Sequence, residues 1–479
     1  MADTQTIAGP RKCAALSFPT LLAVLVAAEF ASAMNASTIY NALAKLYAIY
    51  GDPARVSWLI TIYALSSAGS AVLISRLGDL YGRARMLKLM LVALIVGSLI
   101  SASATNLDVI IFGRAIQGLS MAILPLGFGL LREYASDARE LNFGVGILGG
   151  IYAFSTGIAF LISGVVIDHL GWQHIFTVAA IAALLSLILV LRFLPDGDRK
   201  PGAGRLDFVG ALFILPVCAL LLTFNVAKTH GWLSMPTIAL LVFGVVTLFA
   251  WAIYELAHDE PLVDLRLLRN PTIAIVNAAI FFMAVGPLAY PQVIMPLLQQ
   301  PTWTGIGMGI SATFAAVLKL PTNLSSGIAG IGTGLFARRF SLRPAIVCAA
   351  LANFIAFAAL ALVHNSLAFV VVVCVLLVSP AVTILFACAP GLIIQAAPPE
   401  RTSEVTGLSS VLRSLAQAIG AQLAAITLAS SAVSNAQGTH FPDTDAYVLT
   451  FAMIAFMSLL SFACTVMIPK GASRGAAAR

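Results

Sequence analysis

The chain alternates long apolar stretches with short polar connections. Fourteen of the stretches reach the roughly 20 residues that an α-helix needs to cross the hydrocarbon core of a bilayer. They cover residues 17–43, 56–75, 86–104, 107–131, 142–167, 172–193, 207–227, 235–256, 272–297, 306–335, 344–363, 367–389, 403–430 and 446–468. We therefore predict an all-α polytopic membrane protein with fourteen transmembrane helices.

Two polar interruptions divide these spans into groups of six, two and six. Residues 194–208 follow the sixth span and residues 258–271 follow the eighth, and both segments carry proline and charges of either sign, as linkers do. The connection after span 2, residues 75–85, is weakly repeated after span 10, at residues 334–344. Two related six-helix bundles around a central site are a transporter architecture. The predicted parts are an N-terminal bundle (1–193), a linker with a two-helix insert (194–270) and a C-terminal bundle (271–479).

Composition and charge support a membrane protein with both termini in the cytoplasm. Hydrophobic residues make up 60% of the chain and charged residues only 10%, compared with about 25% charge in soluble domains. The net charge is +7, but outside the spans only Lys45, Arg55 and Lys228 lie on the side away from the termini. This asymmetry follows the positive-inside rule rather than indicating a nucleic-acid-binding face. We expect a multi-pass protein of the plasma membrane, the inner membrane of a bacterium.

The sequence carries no pattern typical of an enzyme or a metal site. Its six cysteines include no CxxC pair, and its six histidines are scattered at span ends and in loops. Neither a phosphate-cradling loop nor a nucleophile elbow occurs. We expect no cofactor, no metal and no enzymatic activity.

The connection between spans 2 and 3 resembles a motif of the major facilitator superfamily. Residues 75–85 read SRLGDLYGRAR, and Asp79, Gly82 and Arg83 match the family pattern G-x-L-A-D-R-x-G-R-R. The resemblance implies a conformational latch, in which these residues hold the cytoplasmic ends of the two halves together. The alternative is a turn with a positively charged surface.

Further motifs extend the resemblance over nearly the whole chain and favour the fourteen-span drug:proton antiporter branch. Arg114, with the glutamine and glycine that follow it, matches R-x-x-Q-G in span 4, which implies a role in proton transfer or in the latch. The alternative for Arg114 is a long side chain that snorkels to the membrane surface. Branch-like segments lie at residues 168–176, 204–213, 254–271 and 398–420.

Two departures from the family pattern stand out. Residues 155–164 of span 5 lack the proline and most of the glycines of G-x-x-x-G-P-x-x-G-G, the motif tied to antiport, although small residues that permit close helix packing remain. In span 1, Asn35 occupies the position of the acidic residue in the branch motif L-D-x-T.

Four charged residues lie deep within the predicted spans, and Glu29 is the only acid among them. It lies about 12 residues into span 1, or roughly 18 Å at 1.5 Å per residue, past the middle of a hydrocarbon core about 30 Å thick. Burial disfavours a charged carboxylate, and water or a nearby cation favours it again. We therefore predict that Glu29, together with Arg114, couples transport to protons. A purely structural role for Glu29 is the alternative.

Asn35, Lys319 and Arg413 are predicted to lie along the substrate pathway. Lys319 could bind an anionic group of the substrate, pair with Glu29 or hold the bundle together, and Arg413 could be structural. In span 9, Pro287 and Pro291 predict a bent helix that could act as a gate.

The leading functional prediction is proton-coupled efflux of small organic, lipophilic or cationic compounds by alternating access. Proton-coupled uptake of an organic acid is the alternative, favoured by Lys319 and by the altered span 5, and a non-transporting receptor is a third interpretation. The expected partners are a small-molecule substrate, protons and membrane lipid. A monomer is expected, and a periplasmic adaptor is considered as a further partner.

Overall fold

The computed structural model describes residues 17–195, 210–258, 261, 264–337, 342–396, 402–434 and 440–469. Over these residues the fold is almost entirely helical. The helices are α1 (Phe18–Tyr50), α2 (Pro53–Val56), α3 (Trp58–Tyr81), α4 (Arg83–Ser103), α5 (Leu107–Gly118), α6 (Ile123–Tyr134), α7 (Ala138–His169), α8 (His174–Phe193), α9 (Ile214–His230), α10 (Met235–Ala257), α11 (Pro271–Val285), α12 (Tyr290–Gln299), α13 (Ala312–Ala337), α14 (Leu342–Leu362), α15 (Leu367–Val373), α16 (Ser379–Ala396), α17 (Thr402–Leu428) and α18 (Thr444–Met467). Strands β1 (Ala432–Ser434) and β2 (His440–Pro442) form a small antiparallel hairpin.

Each of the fourteen predicted stretches coincides with a helix or with consecutive helices. Twelve of the helical segments in the described residues are long and apolar enough to cross a membrane. The other two are α9, whose apolar part is the shorter segment Ile214–Phe224, and α13, whose polar residues include Lys319. The prediction of an all-α polytopic membrane protein is confirmed, and the count of fourteen spans stays a prediction. The predicted linker falls mainly on residues 196–209, outside the described part of the chain.

Helices of each half pack against other helices of that half. In the first half α1 packs against α7 and α8, and α4 packs against α5 and α8. In the second half α14 packs against α16 and α18, and α11 packs against α17 and α18. Helices α9 and α10 pack against each other. Apolar side chains fill these contacts, and many of the remaining apolar side chains are exposed on the outer surface, as expected of helices that face lipid.

The ninth predicted span is a broken helix. Helix α11 ends at Val285, a short 3₁₀ turn covers Pro287–Ala289, and α12 begins at Tyr290. Gly286, between them, lies so close to α18 that a Cβ atom would come within 2.6 Å of the Met457 Cβ. The bend predicted from the two prolines is therefore confirmed, whereas α13 continues through Pro321 without interruption.

A second irregularity lies in the twelfth predicted span. A single π-helical turn, Cys374–Val378, separates α15 from α16. Such turns are rare and frequently lie at functional sites. Nothing in the sequence analysis predicted it.

Asn41 of α1 joins the two halves at the end of the molecule opposite the chain termini. Its Nδ2 donates to the Phe160 carbonyl at 3.3 Å and the Ser163 hydroxyl at 3.2 Å, both in α7, and to the Ala312 carbonyl of α13 at 3.3 Å. Its Oδ1 accepts a hydrogen bond of 2.7 Å from Gln299 of α12. Asn41 is fully buried, so these bonds satisfy a polar group that could not be left unpaired without cost.

Asp168, at the end of α7, contacts the first turn of α13. Its carboxylate accepts from the Ala312 amide at 3.2 Å, from the Thr313 amide at 2.8 Å and from the Thr313 hydroxyl at 2.6 Å. Gly164 permits this approach, because a Cβ atom there would lie 2.7 Å from the Ala312 carbonyl oxygen. Elsewhere at this end, Gln422 of α17 donates to Thr61 of α3 at 2.9 Å. We call these contacts the distal interface.

Four glycines of α7 and α13, away from the distal interface, have no close neighbours beside them. A Cβ atom at Gly146 or Gly150 of α7, or at Gly327 or Gly332 of α13, would have no neighbouring atom within 4 Å. The two halves are therefore joined at the distal interface, whereas these four glycines face open space.

Candidate functional site

Arg114 lies in the interior of the first half and contacts α1 and α3. Its side chain is 1% exposed. The guanidinium donates to the Leu59 carbonyl at 3.0 Å, to the Asn35 carbonyl at 3.2 Å and to the Gln117 side chain at 2.8 Å. Its central carbon lies 4.2 Å from the centroid of the Tyr63 ring. Arg114 therefore does not snorkel to a membrane surface.

This arrangement brings together residues that the sequence analysis assigned to different roles. Asn35, predicted for the substrate pathway, is fully buried and also approaches Arg114 through its Oδ1 at 3.4 Å. Its Nδ2 makes no hydrogen bond to a described residue. The asparagine at the family's acidic position thus contributes oxygen atoms to the arginine rather than a negative charge.

Glu29 lies in α1 with 2% of its surface exposed. Its Oε2 atom is buried and makes no hydrogen bond within the described residues. The described ion pairs join Arg55 to Asp108 and Arg83 to Glu133, so the pairing of Glu29 with Lys319 that the sequence left open does not occur there. A buried acid without a cationic partner is costly when charged and readily accommodated when protonated.

Lys319 contacts the aromatic residue that follows the break in span 9. Its ammonium donates a hydrogen bond to the Tyr290 hydroxyl and lies 5.7 Å from the centroid of the Phe160 ring. The side chain is 5% exposed and borders a cavity of about 20 Å³ that Cys374 of the π-helical turn also lines. Lys319 thereby connects α13 to both irregular helices of the second half.

Arg413 differs from the other two embedded cations because its side chain is exposed to open space. Its guanidinium carbon lies 5.5 Å from the centroid of the Phe386 ring. It lines a cavity of about 100 Å³ with Pro390 and hydroxyl-bearing residues of α17. All the residues that line this cavity belong to the second half.

The latch residues lie where α3 meets α4. Gly82 has φ 101°, a conformation that side chains rarely adopt, and it allows one residue to connect the two helices. Arg83 donates to the Gly129 carbonyl at 2.8 Å and to the Glu133 carboxylate at 3.1 Å, both in α6 of the same half. The side chain of Asp79 lies outside the described atoms, so the latch across the halves stays a prediction.

Several contributors to the interior were not predicted from the sequence. Asn41 and Gln299 meet across the halves, and a search of α1 for further polar residues beyond Glu29 and Asn35 would have found Asn41. Asp168 lies in a segment used only as a family marker, and its contact depends on the fold. Glu255, in the last turn of α10, is fully buried, so the view of Glu29 as the sole embedded acid was wrong.

Possible metal ligands are dispersed. Within the described ranges no group of three His, Cys, Asp or Glu side chains could hold a metal ion. The cysteines of those ranges are free thiols.

Sequence relatives are transporters, and they are longer than the region they share with this chain. The multidrug transporter protein MdtP of Bacillus subtilis is 26% identical over 330 residues, which cover 68% of this chain and 60% of that protein. The acurin A biosynthesis cluster MFS-type transporter of Aspergillus aculeatus is 30% identical over 342 residues, covering 69% of this chain and 60% of that protein. The chain thus spans about 60% of the length of these relatives.

Solved structures and a family model agree on the fold. The nucleoside transporter NupG superposes with a TM-score of 0.66 at 11% identity, covering 94% of this chain and 98% of that chain. The xylose transporter XylE from E. coli gives a TM-score of 0.59 at 13% identity, with 94% and 98% covered. These relatives are transporters and not enzymes. The family model described as Major Facilitator Superfamily matches residues 25–421, and the chain belongs to that family.

Proposed function

We propose that the protein is a proton-coupled secondary transporter that exports small organic compounds by alternating access. The observation that carries the proposal is Glu29, a buried carboxyl group whose Oε2 has no hydrogen-bond partner among the described residues. A fixed structural carboxylate would be expected to have a cationic or hydrogen-bonded partner. A carboxyl group that gains and loses a proton during each cycle needs an environment that changes instead.

The surroundings of Glu29 can supply such a change. In the arrangement described here its buried environment favours the protonated form. When the halves move and water reaches α1, the charged form becomes less costly. The carboxyl would then bind a proton from one side of the membrane and release it to the other.

The distal interface and the broken span 9 supply the moving parts of the proposal. The bonds of Asn41 and Asp168 connect α1 and α7 to α12 and α13, and they must break if the distal end is to open. The break at Gly286 lets α12 move with that interface while α11 stays packed in its own bundle. Discontinuous helices of this kind commonly lie at transporter binding sites.

Export is proposed as the direction because relatives that share this region include proteins named multidrug transporter and efflux pump. On this proposal the protein lies in a bacterial inner membrane with both termini in the cytoplasm. It acts as a monomer on a small-molecule substrate and protons, and a periplasmic adaptor is the further partner to test.

The proposal is tested in proteoliposomes that contain the full chain in inside-out orientation. A proton gradient is imposed, and a pH-sensitive dye in the lumen is followed while a panel of cationic, neutral and anionic compounds is added in turn. The expected result is a release of luminal protons that depends on a transported compound and is absent from protein-free vesicles. Transport of a compound at the same rate with and without the gradient would contradict proton coupling.

A further inference from the structure

We propose that the transported compound carries a carboxylate or phosphate group and that Arg413 of α17 binds this group. The proposal rests on the transport function proposed above and names the chemical class of its substrate. It concerns a site in the second half and does not require Glu29 to be the proton carrier.

Arg413 is an embedded cation without a described anionic partner. It lies eleven residues after Thr402, where α17 begins, or about 16 Å along the helix at 1.5 Å per residue. That distance places it near the middle of a hydrocarbon core roughly 30 Å thick. A charge at that depth is expensive unless it pairs or reaches water, and such residues usually mark substrate or ion pathways.

The contrast with Arg114 shows what Arg413 lacks. Arg114 is buried and donates to the Leu59 and Asn35 carbonyls and to Gln117, so its donors serve the fold. Arg413 makes neither a hydrogen bond nor an ion pair to any residue in the described ranges, apart from its weaker contact with the Phe386 ring. Its guanidinium donors are therefore available to a ligand, and their planar arrangement matches a carboxylate or a phosphate.

The cavity beside Arg413 suits the head of such a molecule. Its volume is about 100 Å³, about three times the roughly 30 Å³ that one water molecule occupies in the liquid. Phe386 and Pro390 provide apolar walls. The hydroxyls of Ser409 and Ser410 donate to carbonyls of their own helix, each at 3.0 Å. Arg413 is thus the cationic donor that lines this cavity, and an apolar body of the ligand would contact the ring and the proline.

The test measures binding to the full chain in nanodiscs of phosphatidylcholine. Benzoate and phenyl phosphate are compared with the neutral analogues benzamide and benzyl alcohol by isothermal titration calorimetry. The two anions are expected to bind, and the two neutral analogues are expected to show no binding. Arg413→Gln should weaken anion binding about tenfold to a hundredfold, as expected for the loss of charge-assisted hydrogen bonds, and Arg413→Lys should retain part of the affinity.

A matched control is available at the end of α8. Arg192 also lies 5.5 Å from an aromatic centroid, that of Phe193, but outside this cavity. Arg192→Gln should leave anion affinity unchanged.

Three results would overturn the proposal. They are equal binding of the anions and their neutral analogues to the wild type, full anion affinity in Arg413→Gln, and occupation of the site by lipid. Lipid occupation would be indicated by two results in phosphatidylglycerol nanodiscs. Benzoate binding to the wild type would be abolished, and the melting temperature would rise for the wild type but not for Arg413→Gln. The wild-type comparison needs no variant, so it decides the matter even if a variant does not fold.

The outcome is separable from that of the transport proposal. Anion binding without substrate-dependent proton release would leave this site standing and refute proton coupling. Proton-coupled export restricted to cations or neutral compounds would support the transport proposal and refute anion binding at Arg413.

Discussion

Asp168→Asn is expected to weaken the distal interface and shift the protein toward a form open at that end. The wild-type carboxylate accepts from the Ala312 amide through one oxygen, and from the Thr313 amide and hydroxyl through the other, at 2.8 and 2.6 Å. An asparagine retains one acceptor oxygen but replaces the other with an amino group, which cannot accept, so at least one of the three bonds is lost. It also removes a negative charge from the N-terminus of α13, where a helix favours one.

The size of the effect follows from these contacts and from their exposure. Hydrogen bonds to charged groups contribute about 1.5–3 kcal/mol when buried, and a charge at a helix N-terminus contributes about 0.3–1 kcal/mol. Asp168 is exposed, so solvent screening reduces both contributions. We expect a net loss of about 1 kcal/mol from the closed form, which corresponds to about a fivefold change in the ratio of closed to open molecules.

The shift can be measured with a pair of spin labels in a background without reactive cysteines. The labels replace Leu170, which follows α7, and Trp303, which precedes α13, and both side chains are exposed in the structure. Electron–electron distance distributions should show the longer distance populated about fivefold more often in Asp168→Asn, consistent with an effect of about 1 kcal/mol. Asp108→Asn is the control, because it removes an exposed ion pair with Arg55 inside the first half. Identical distributions in Asp168→Asn and wild type would refute the reasoning.

Three further predictions concern other parts of the structure. Lys319→Met should change the melting temperature little, because it removes a buried cation that has no anionic partner among the described residues, together with its hydrogen bond to Tyr290, but it should slow transport. A large fall in melting temperature would identify Lys319 as structural. Gly420→Ala should destabilise the fold by about 1–3 kcal/mol in thermal unfolding, since its Cβ would lie 2.2 Å from the Val285 carbonyl oxygen beside the helix break; wild-type stability would show that the contact relaxes freely. Asp79→Asn should lower transport with little loss of expression, and wild-type turnover would reduce the predicted latch to a turn.

The helices could be predicted from the sequence because lipid imposes a simple rule on it. Backbone groups in hydrocarbon must bond within the helix, so a long apolar stretch has few alternatives to helical structure. The break in span 9 was also predictable in outline, since two prolines lie there. Its position at Gly286 depends on the approach of Met457, which only the packed fold brings close.

The site was predictable in part, for a related reason. Glu29, Arg114 and Arg413 stand out because embedded charges are rare. The sequence could not show which of them is satisfied: Arg114 finds carbonyl oxygens, whereas Arg413 faces open space. The contacts of Asn41 and Asp168 join residues more than a hundred positions apart, and no local pattern encodes them.

The central claim, that Glu29 carries the coupled proton, is tested most directly by Glu29→Gln in reconstituted vesicles. Accumulation of a transported compound against its gradient is measured under an imposed proton gradient, together with exchange of that compound in the absence of any gradient. Glu29→Gln is expected to abolish uphill accumulation and retain exchange, while Glu140→Gln, at a half-buried carboxylate in the first turn of α7, is expected to behave as wild type. Uphill accumulation in Glu29→Gln with the wild-type pH dependence would contradict the claim.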